Sequence, residues 1–583
     1  MFKGHPKGLY ALALSNTGER FGYYTMLAVF ALFLRENFGL EAGTAGAIYS
    51  TFLGLVYFMP LIGGVMADKF GFGKMVTIGI SIMFVGYMLL SFPLGGDMIA
   101  MIAMMAALLF ISLGTGLFKG NLQVMVGDLY NDPKYADKRD SGFSLFYMAI
   151  NVGSLFAPTT AVGIKNWAQN DLGYSSNDAY HFAFAVACVA LVVSIIIYYA
   201  FRSTFRHVEG GKKNGAAAAQ VNDTLTPAET KQRIVALCLV FAVVIFFWMA
   251  FHQNGLTLTY FADEFTNTTA FGFDTMLFDV WNLVMLIVAV YATFSIFQST
   301  SAKGKLTSGV LATGILAFLV YRAFGAEGTE LAVSAPIFQQ FNPFYVVALT
   351  PVSMAIFGSL AKSGKEPSAP RKIAYGMLVA AIGFAIMAVG SQGLNTPNDQ
   401  ARAIAVNKAE TIAKDMNNAA DDAARKAAEK AKSDFEGKLT KENKEVFETV
   451  YNAYMVTMSA DSDQAQVAAA NAELEAIKAD TKEETRTSPY WLIFTYLILT
   501  FAELLLSPMG ISFVSKVAPP KYKGMMMGGW FVATAIGNML VAVGGFLWAG
   551  IPLWSVWAVF ISLCLLSALF MFIMMKRLES VTK

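Results

Sequence analysis

A glutamate and an arginine stand side by side, Glu19-Arg20, inside a stretch otherwise apolar enough to enter a lipid bilayer. Asn16, Glu19 and Tyr23 recur at i, i+3 and i+7, which stacks them along one stripe of a helix; Arg20, Tyr24 and Leu27 line the neighbouring stripe. A charge at the bilayer centre costs from about 3 to about 17 kcal/mol depending on the assay, so such residues face a cavity, a counter-charge or an ion path. Two chemistries fit. Arg20 holds a carboxylate while Glu19 exchanges a proton, or the two form a structural pair that locks helices together.

Two further ionisable residues fall in apolar stretches. Lys119 lies in Gly114-Thr115-Gly116-Leu117-Phe118-Lys119-Gly120-Asn121, among small residues that let a neighbouring helix come close. An isolated ammonium in low dielectric sheds its proton or finds a partner, and Glu19 is the expected one. Glu503, in Phe501-Ala502-Glu503-Leu504-Leu505-Leu506-Ser507-Pro508, brings an acid from the C-terminal part of the chain. A cationic wall with Arg20 and Lys119 facing an anionic one with Glu503 suits a zwitterion, as a short peptide is.

The elements that must position these residues are membrane spans. Of 583 residues, 56% are hydrophobic and only 14% charged, against about 25% charged in soluble domains, and the mean hydropathy is +0.51. The lipid bilayer is therefore the expected partner, and nothing in the net charge of +2 suggests nucleic acid. Crossing about 30 Å of hydrocarbon takes near twenty apolar residues. That length predicts about fourteen spans, near 8–34, 44–67, 75–94, 98–126, 142–164 and 181–201, then 234–261, 278–299, 306–324, 339–361, 373–393, 490–513, 525–548 and 553–575. The expected fold class is an all-α polytopic membrane protein.

Cations cluster in alternate loops, from Lys3 and Lys7 through Lys69 and Lys74 to Lys576 and Arg577, which predicts both termini on the cytoplasmic side of a plasma membrane, bacterial and inner. Glu19 and Arg20 in the first span argue against a removable signal peptide. Cys188, Cys238 and Cys564 are far apart in apolar spans, and no metal-ligand spacing, nucleophile–base pair or phosphate loop appears, so no metal, cofactor or enzymatic activity is expected. Residues 395–488, rich in Ala, Lys, Glu and Asp, read as an extracytoplasmic helical insertion, either a solvated charged hairpin or a lid that engages a protein partner.

Several motifs resemble the proton-coupled oligopeptide transporter family of the major facilitator superfamily. Gly64-Val65-Met66-Ala67-Asp68-Lys69-Phe70-Gly71-Phe72-Gly73-Lys74 is similar to the superfamily's loop signature, and Phe146-Tyr147-Met148-Ala149-Ile150-Asn151-Val152-Gly153-Ser154 to the family's fifth-span signature. Phe247-Trp248 with His252-Gln253, Gln340-Phe341-Asn342-Pro343, Glu503 to Gly510 with Ala518-Pro519, and Trp530-Phe531 with Gly537-Asn538 resemble the later spans. The resemblance implies two six-helix bundles, at 1–202 and 233–583, joined by a cytoplasmic linker at 203–232, with a transmembrane hairpin inserted at 275–326. It implies proton-coupled uptake of di- and tripeptides by alternating access. Arg20 and Lys119 would meet the peptide carboxylate, Glu503 the amine, and Tyr23, Tyr24, Tyr57, Asn151, Trp248, Asn342, Ser507 and Trp530 would line side-chain pockets. Asp68, Lys69 and Lys74 would pair at the inner gate.

The departures matter as much. Where the family has a glutamate three residues before Glu19 this chain has Asn16, and where it has an arginine seven residues after Arg20 this chain has Leu27. The acid that would face that arginine is replaced by His252. A carboxylate left without its arginine would be buried unpaired, which a neutral imidazole avoids, so the outer gate is expected to be rebuilt without that ion pair. Proton coupling is expected at Glu19 with Lys119, and His252 is either an auxiliary proton site or a packing residue. A facilitator, a sodium-driven carrier, a carrier of another carboxylate-bearing solute and a non-transporting peptide sensor are the alternatives.

Overall fold

Each expected span becomes a helix because its backbone bonds close internally where no water can satisfy them. The computed structural model describes residues 4–210, 225–459 and 461–581. The first set is α1 (Lys7–Phe38), α2 (Ala42–Phe70), α3 (Phe72–Leu90), α4 (Met98–Asp128), α5 (Arg139–Asn170) and α6 (Ser176–Ala200). The core of the expected linker, 211–224, lies outside the described residues. Beyond it come α7 (Pro227–Phe251), α8 (Thr257–Glu264), strand β1 (Thr269–Phe271), α9 (Asp274–Phe278), α10 (Val280–Gln298), α11 (Ala302–Gly325), strand β2 (Glu330–Ala332), α12 (Phe341–Lys362) and α13 (Ala369–Gly390). The insertion folds as α14 (Pro397–Asn417), α15 (Asp422–Glu436), α16 (Lys441–Met458) and α17 (Gln464–Ala479). The chain ends with α18 (Tyr490–Val517), α19 (Lys523–Met539), α20 (Ala542–Trp548) and α21 (Leu553–Ser580).

Local chemistry sets the ends. Asp97 and Ser175 accept hydrogen bonds from the first turns of α4 and α6, and Thr226 with Glu229 forms a reciprocal cap ahead of Pro227. Gly71 turns α2 into α3 with φ 96°, a conformation side chains disfavour. Among the described residues, thirteen segments are long and apolar enough to cross a membrane. The expected first span, α1, is the more polar exception, and it is enclosed by its neighbours. Gly18 and Gly22 let it touch α6, and Gly153 lets α5 touch it.

The helices form two bundles. Helices α1 to α6 pack on one another, while α7, α12, α13, α18, α19 and α21 form the second group, and α2 and α5 meet it along α19, α20 and α12. Two expected spans are broken, at His252–Gly255 between α7 and α8 and at Leu540–Val541 between α19 and α20. One buried side chain stitches both breaks. Gln253 Nε2 donates to the carbonyl of Met249 at 3.1 Å and to that of Val541 at 3.0 Å, and Thr257 donates to Gln253 Oε1 at 2.8 Å.

The hairpin α10–α11 leaves most of α11 facing outward, whereas Tyr291 on α10 donates to the Val347 carbonyl of α12 at 3.2 Å and touches Met148 of α5. It therefore borders both bundles and is less peripheral than a bare decoration. An open cleft of about 850 Å³ at its end is lined by Asp279, Asn282 and Arg322 and contains none of the expected site residues. The insertion is a four-helix unit with its own apolar core, built on Ala409, Ile412, Phe447, Val450 and Leu474, and not a simple charged hairpin.

Candidate functional site

The polar stripe of α1 is buried at mid-length, where Asn16, Glu19, Arg20 and Tyr23 are almost wholly enclosed. Glu19 does not pair with Lys119. Its two oxygens accept from Nε and Nη2 of the adjacent Arg20, a bidentate pair, and the guanidinium carbon lies 4.8 Å from the Tyr23 ring centroid. This corrects the expected counter-ion: sequence neighbours on one helix satisfy each other and leave Lys119 over.

Lys119 on α4 is half-buried, with Nζ 4.1 Å from the centre of the Tyr57 ring on α2. Among the described residues no carboxylate forms a salt bridge with it. A cation over a ring gains about 0.5–2 kcal/mol, less than a buried ammonium loses on leaving water. Lys119 therefore retains the capacity to bind an anion.

Glu503 on α18 is its counterpart. It is 8% exposed and accepts from two neutral donors, Asn342 Nδ2 on α12 at 3.0 Å and Tyr147 Oη on α5 at 3.3 Å. Asn342 also donates to Thr500 at 3.1 Å, which fixes its amide. No cation forms a salt bridge with Glu503 among the described residues. Tyr24 and Tyr57 stand within electrostatic reach of both Arg20 and Glu503, so these charges lie in one region where the bundles meet.

Aromatic residues furnish its walls. Trp248 on α7 stacks on His252, with ring centroids 5.1 Å apart, and among the described residues neither its indole Nε1 nor the Tyr23 hydroxyl has a hydrogen-bond partner. Trp530 on α19 is buried against Phe241 and fills the space that Gly510 leaves by lacking a side chain. Asn151 is buried and donates to the Tyr147 carbonyl at 3.0 Å, and Ser507 is half-buried one turn beyond Glu503. Asp68, Lys69 and Lys74 lie exposed around the α2–α3 turn, on the face that carries both ends of the chain.

On the insertion-bearing face an ion pair does form, at positions other than Leu27 and His252. Arg35 of α1 is paired with Glu264 of α8, and the guanidinium also lies over the Tyr260 ring at 4.6 Å. This pair forms roughly two helical turns, about 12 Å, beyond Leu27 along α1. Trp548 Nε1 donates to Glu264 Oε2 at 3.0 Å. Neither residue stood out in the sequence, because each sits near a span end where charges are common.

A family model described as the POT family matches residues 73–226, 322–409 and 459–546, more than half of the chain. The chain is 27% identical over 580 residues to the uncharacterized transporter YclF of Bacillus subtilis, covering 94% of this chain and 90% of the relative. It is 26% identical over 573 residues to the peptide transporter YePEPT of Yersinia enterocolitica, covering 93% and 88%. Its fold matches a crystal structure of a POT family transporter in complex with 5-aminolevulinic acid, with TM-score 0.65 at 18% identity over 100% of this chain and 98% of that one. It also matches a mutant peptide transporter POT in complex with alafosfalin, with TM-score 0.64 at 21% identity over 100% and 97%. The two-bundle fold and the family match lead to one conclusion: the chain is a transporter of the POT family, with the major facilitator fold, and not an enzyme.

Proposed function

We propose that this protein carries di- and tripeptides across the membrane together with protons. One observation supports the reading above all others: Lys119 and Glu503 are two opposite charges, from different bundles, for which the described residues supply no ionic partner. A peptide zwitterion supplies both, its carboxylate to Lys119 and its ammonium to Glu503. Two relatives agree with that substrate class, the peptide transporter YePEPT and the dipeptide and tripeptide permease A of Escherichia coli. Tyr23, Tyr24, Tyr57, Asn151, Trp248, Ser507 and Trp530 would meet the side chains, through aromatic surfaces that give affinity without demanding one shape.

Proton coupling would run through Glu19. While Glu19 is ionised it occupies Arg20; a proton on Glu19 dissolves the bidentate pair and frees the guanidinium for the peptide carboxylate. Substrate and proton then favour the same state, and a differential affinity of a few kcal/mol is enough to move the population. The bundles rock about the compartment, with Asp68, Lys69 and Lys74 closing the face that carries both termini and Arg35–Glu264 the face that carries the insertion. The termini would lie in the cytoplasm of a bacterial inner membrane.

Uptake of a small panel of di- and tripeptides into proteoliposomes tests this reading. Accumulation that requires an inward proton gradient and acidifies the lumen is expected. Accumulation indifferent to that gradient, or driven by sodium instead, would remove the coupling; failure of every peptide to enter would remove the substrate class.

A further inference from the structure

The cleft of about 850 Å³ at the end of the inserted hairpin contains a cation that is positioned but not saturated. Arg322, in the last turn of α11, donates through Nη2 to Asp279 Oδ2 at 3.1 Å and through Nη1 to Asn282 Oδ1, so two residues at the start of α10 fix the plane of its guanidinium. A guanidinium offers five N–H donors. Those two bonds leave three, and Arg322 lines the open cleft at 39% exposure. Asp279 is spent more fully, because its Oδ1 also accepts from the Trp281 amide at 2.9 Å.

The same cleft is lined by an acid without a counter-ion. Glu330 on β2 is held opposite Phe271 of β1 by strand pairing, is exposed, and forms no salt bridge among the described residues. Asp279 balances the charge of Arg322, so the cleft presents unused N–H donors together with one uncompensated negative charge. That combination fits a zwitterion whose anionic part takes several hydrogen bonds and whose cationic part is an ammonium.

The depth of the cleft in the bilayer names the source of such a zwitterion. Tyr490, at the start of α18, donates to Asp274 of α9, which sets this end of the hairpin on the insertion-bearing face. Phe271, Phe273, Trp281, Tyr321 and Phe324 gather there, each between 59 and 78% exposed. Exposed aromatic rings, Trp and Tyr above all, concentrate at the level of lipid headgroups. Toward the bilayer centre α11 buries only Ala312 and turns Leu316, Phe318 and Val320 outward, an apolar wall that runs on from the cleft. A dissolved peptide gains nothing from that wall, whereas a phospholipid lays its chains along it.

We propose that this cleft holds the headgroup of an ethanolamine phospholipid in the leaflet on the insertion-bearing face, with its phosphate on Arg322 and its ammonium on Glu330. The site is joined to the contact between the bundles. Phe278 lines the cleft, and its carbonyl accepts from Gln340 Nε2 at 3.3 Å, while Gln340 Oε1 accepts from Thr159 of α5 at 3.0 Å. A bound lipid thus rests against the segment through which the second bundle holds the first.

Native mass spectrometry of the full-length protein, released from nanodiscs of equal parts palmitoyl-oleoyl phosphatidylethanolamine and phosphatidylglycerol, tests this through the ratio of the two lipids retained. Wild type should retain the ethanolamine lipid in preference. Glu330→Gln should lower that ratio about tenfold, the worth of one hydrogen bond between charges, and Glu330→Lys should invert it. Glu330 is exposed and ties no element together, so these variants keep the fold. Arg322→Gln should lose both lipids. A ratio unchanged in Glu330→Gln and Glu330→Lys overturns the proposal. Displacement of the retained lipid by excess dialanine overturns it as well, since the cleft would then be a second peptide site.

Discussion

Arg35 at the end of α1 is ion-paired with Glu264 at the end of α8, and this pair joins the two bundles on the insertion-bearing face. Both groups are largely enclosed, at 23% and 9% exposure. Removing one partner strands the other's charge, at a cost of about 3 kcal/mol to the closed arrangement. Arg35→Gln should therefore widen this face. The check is the spin-label distance between Glu41 and Gln392, both exposed, each replaced by cysteine in a background lacking Cys188, Cys238 and Cys564. A longer-distance population should grow, and Arg35→Gln with Glu264→Gln together should restore much of the wild-type distribution. Identical distributions in all variants would deny the pair a gating role.

The insertion leaves the chain between α13 and α18 yet grips the other bundle. Lys438 pairs with Glu36 of α1 at 3.4 Å, Lys430 donates to the Gln169 carbonyl at the end of α5 at 2.8 Å, and Asp434 accepts from the Ser176 amide of α6 at 3.1 Å. It also holds the second bundle, through Gln400 donating to the Glu264 carbonyl at 2.9 Å. Such a strap favours the closed face. Lys438→Met with Lys430→Met should raise the open population severalfold by the same spin-label distance, because among the described residues Glu36 then retains Lys165 at 3.7 Å and Tyr180 at 2.8 Å.

Within the insertion, Glu410 of α14 carries a pH dependence of known sign. Burial pushes its carboxyl upward, but hydrogen bonds from Lys414, Tyr454 and Lys478 outweigh it and bring the pKa down to about 2. A depressed acid contributes stability that is present above its unfolded value, about 4.5, and is lost as pH falls toward the folded one. Hydrogen exchange in α16, which carries Tyr454, should accelerate as pH drops from about 4.5 toward 2, after correction for intrinsic rates. Glu410→Gln should exchange faster at neutral pH and show a flatter profile. A wild-type profile in that variant would remove Glu410 from the insertion's stability.

The spans were legible because hydrocarbon thickness imposes a length, and their order in the structure follows the apolar stretches one for one. The breaks at His252–Gly255 and Leu540–Val541 were not, since each is stabilised from a distance: Gln253 reaches a carbonyl 288 positions away. The charged site residues Glu19, Arg20, Lys119 and Glu503 announced themselves by their expense in an apolar context. Their partners did not. Glu19 turned to its sequence neighbour, and Arg35 found Glu264 across 229 positions.

The orientation of a bound peptide tests the central claim most directly. A high-resolution map of the protein with a dipeptide should show the carboxylate within hydrogen-bond distance of Lys119 and the ammonium beside Glu503, with the peptide spanning from the first bundle to the second. A dipeptide bound in the reverse sense, or held with neither Lys119 nor Glu503 in contact, would contradict the account.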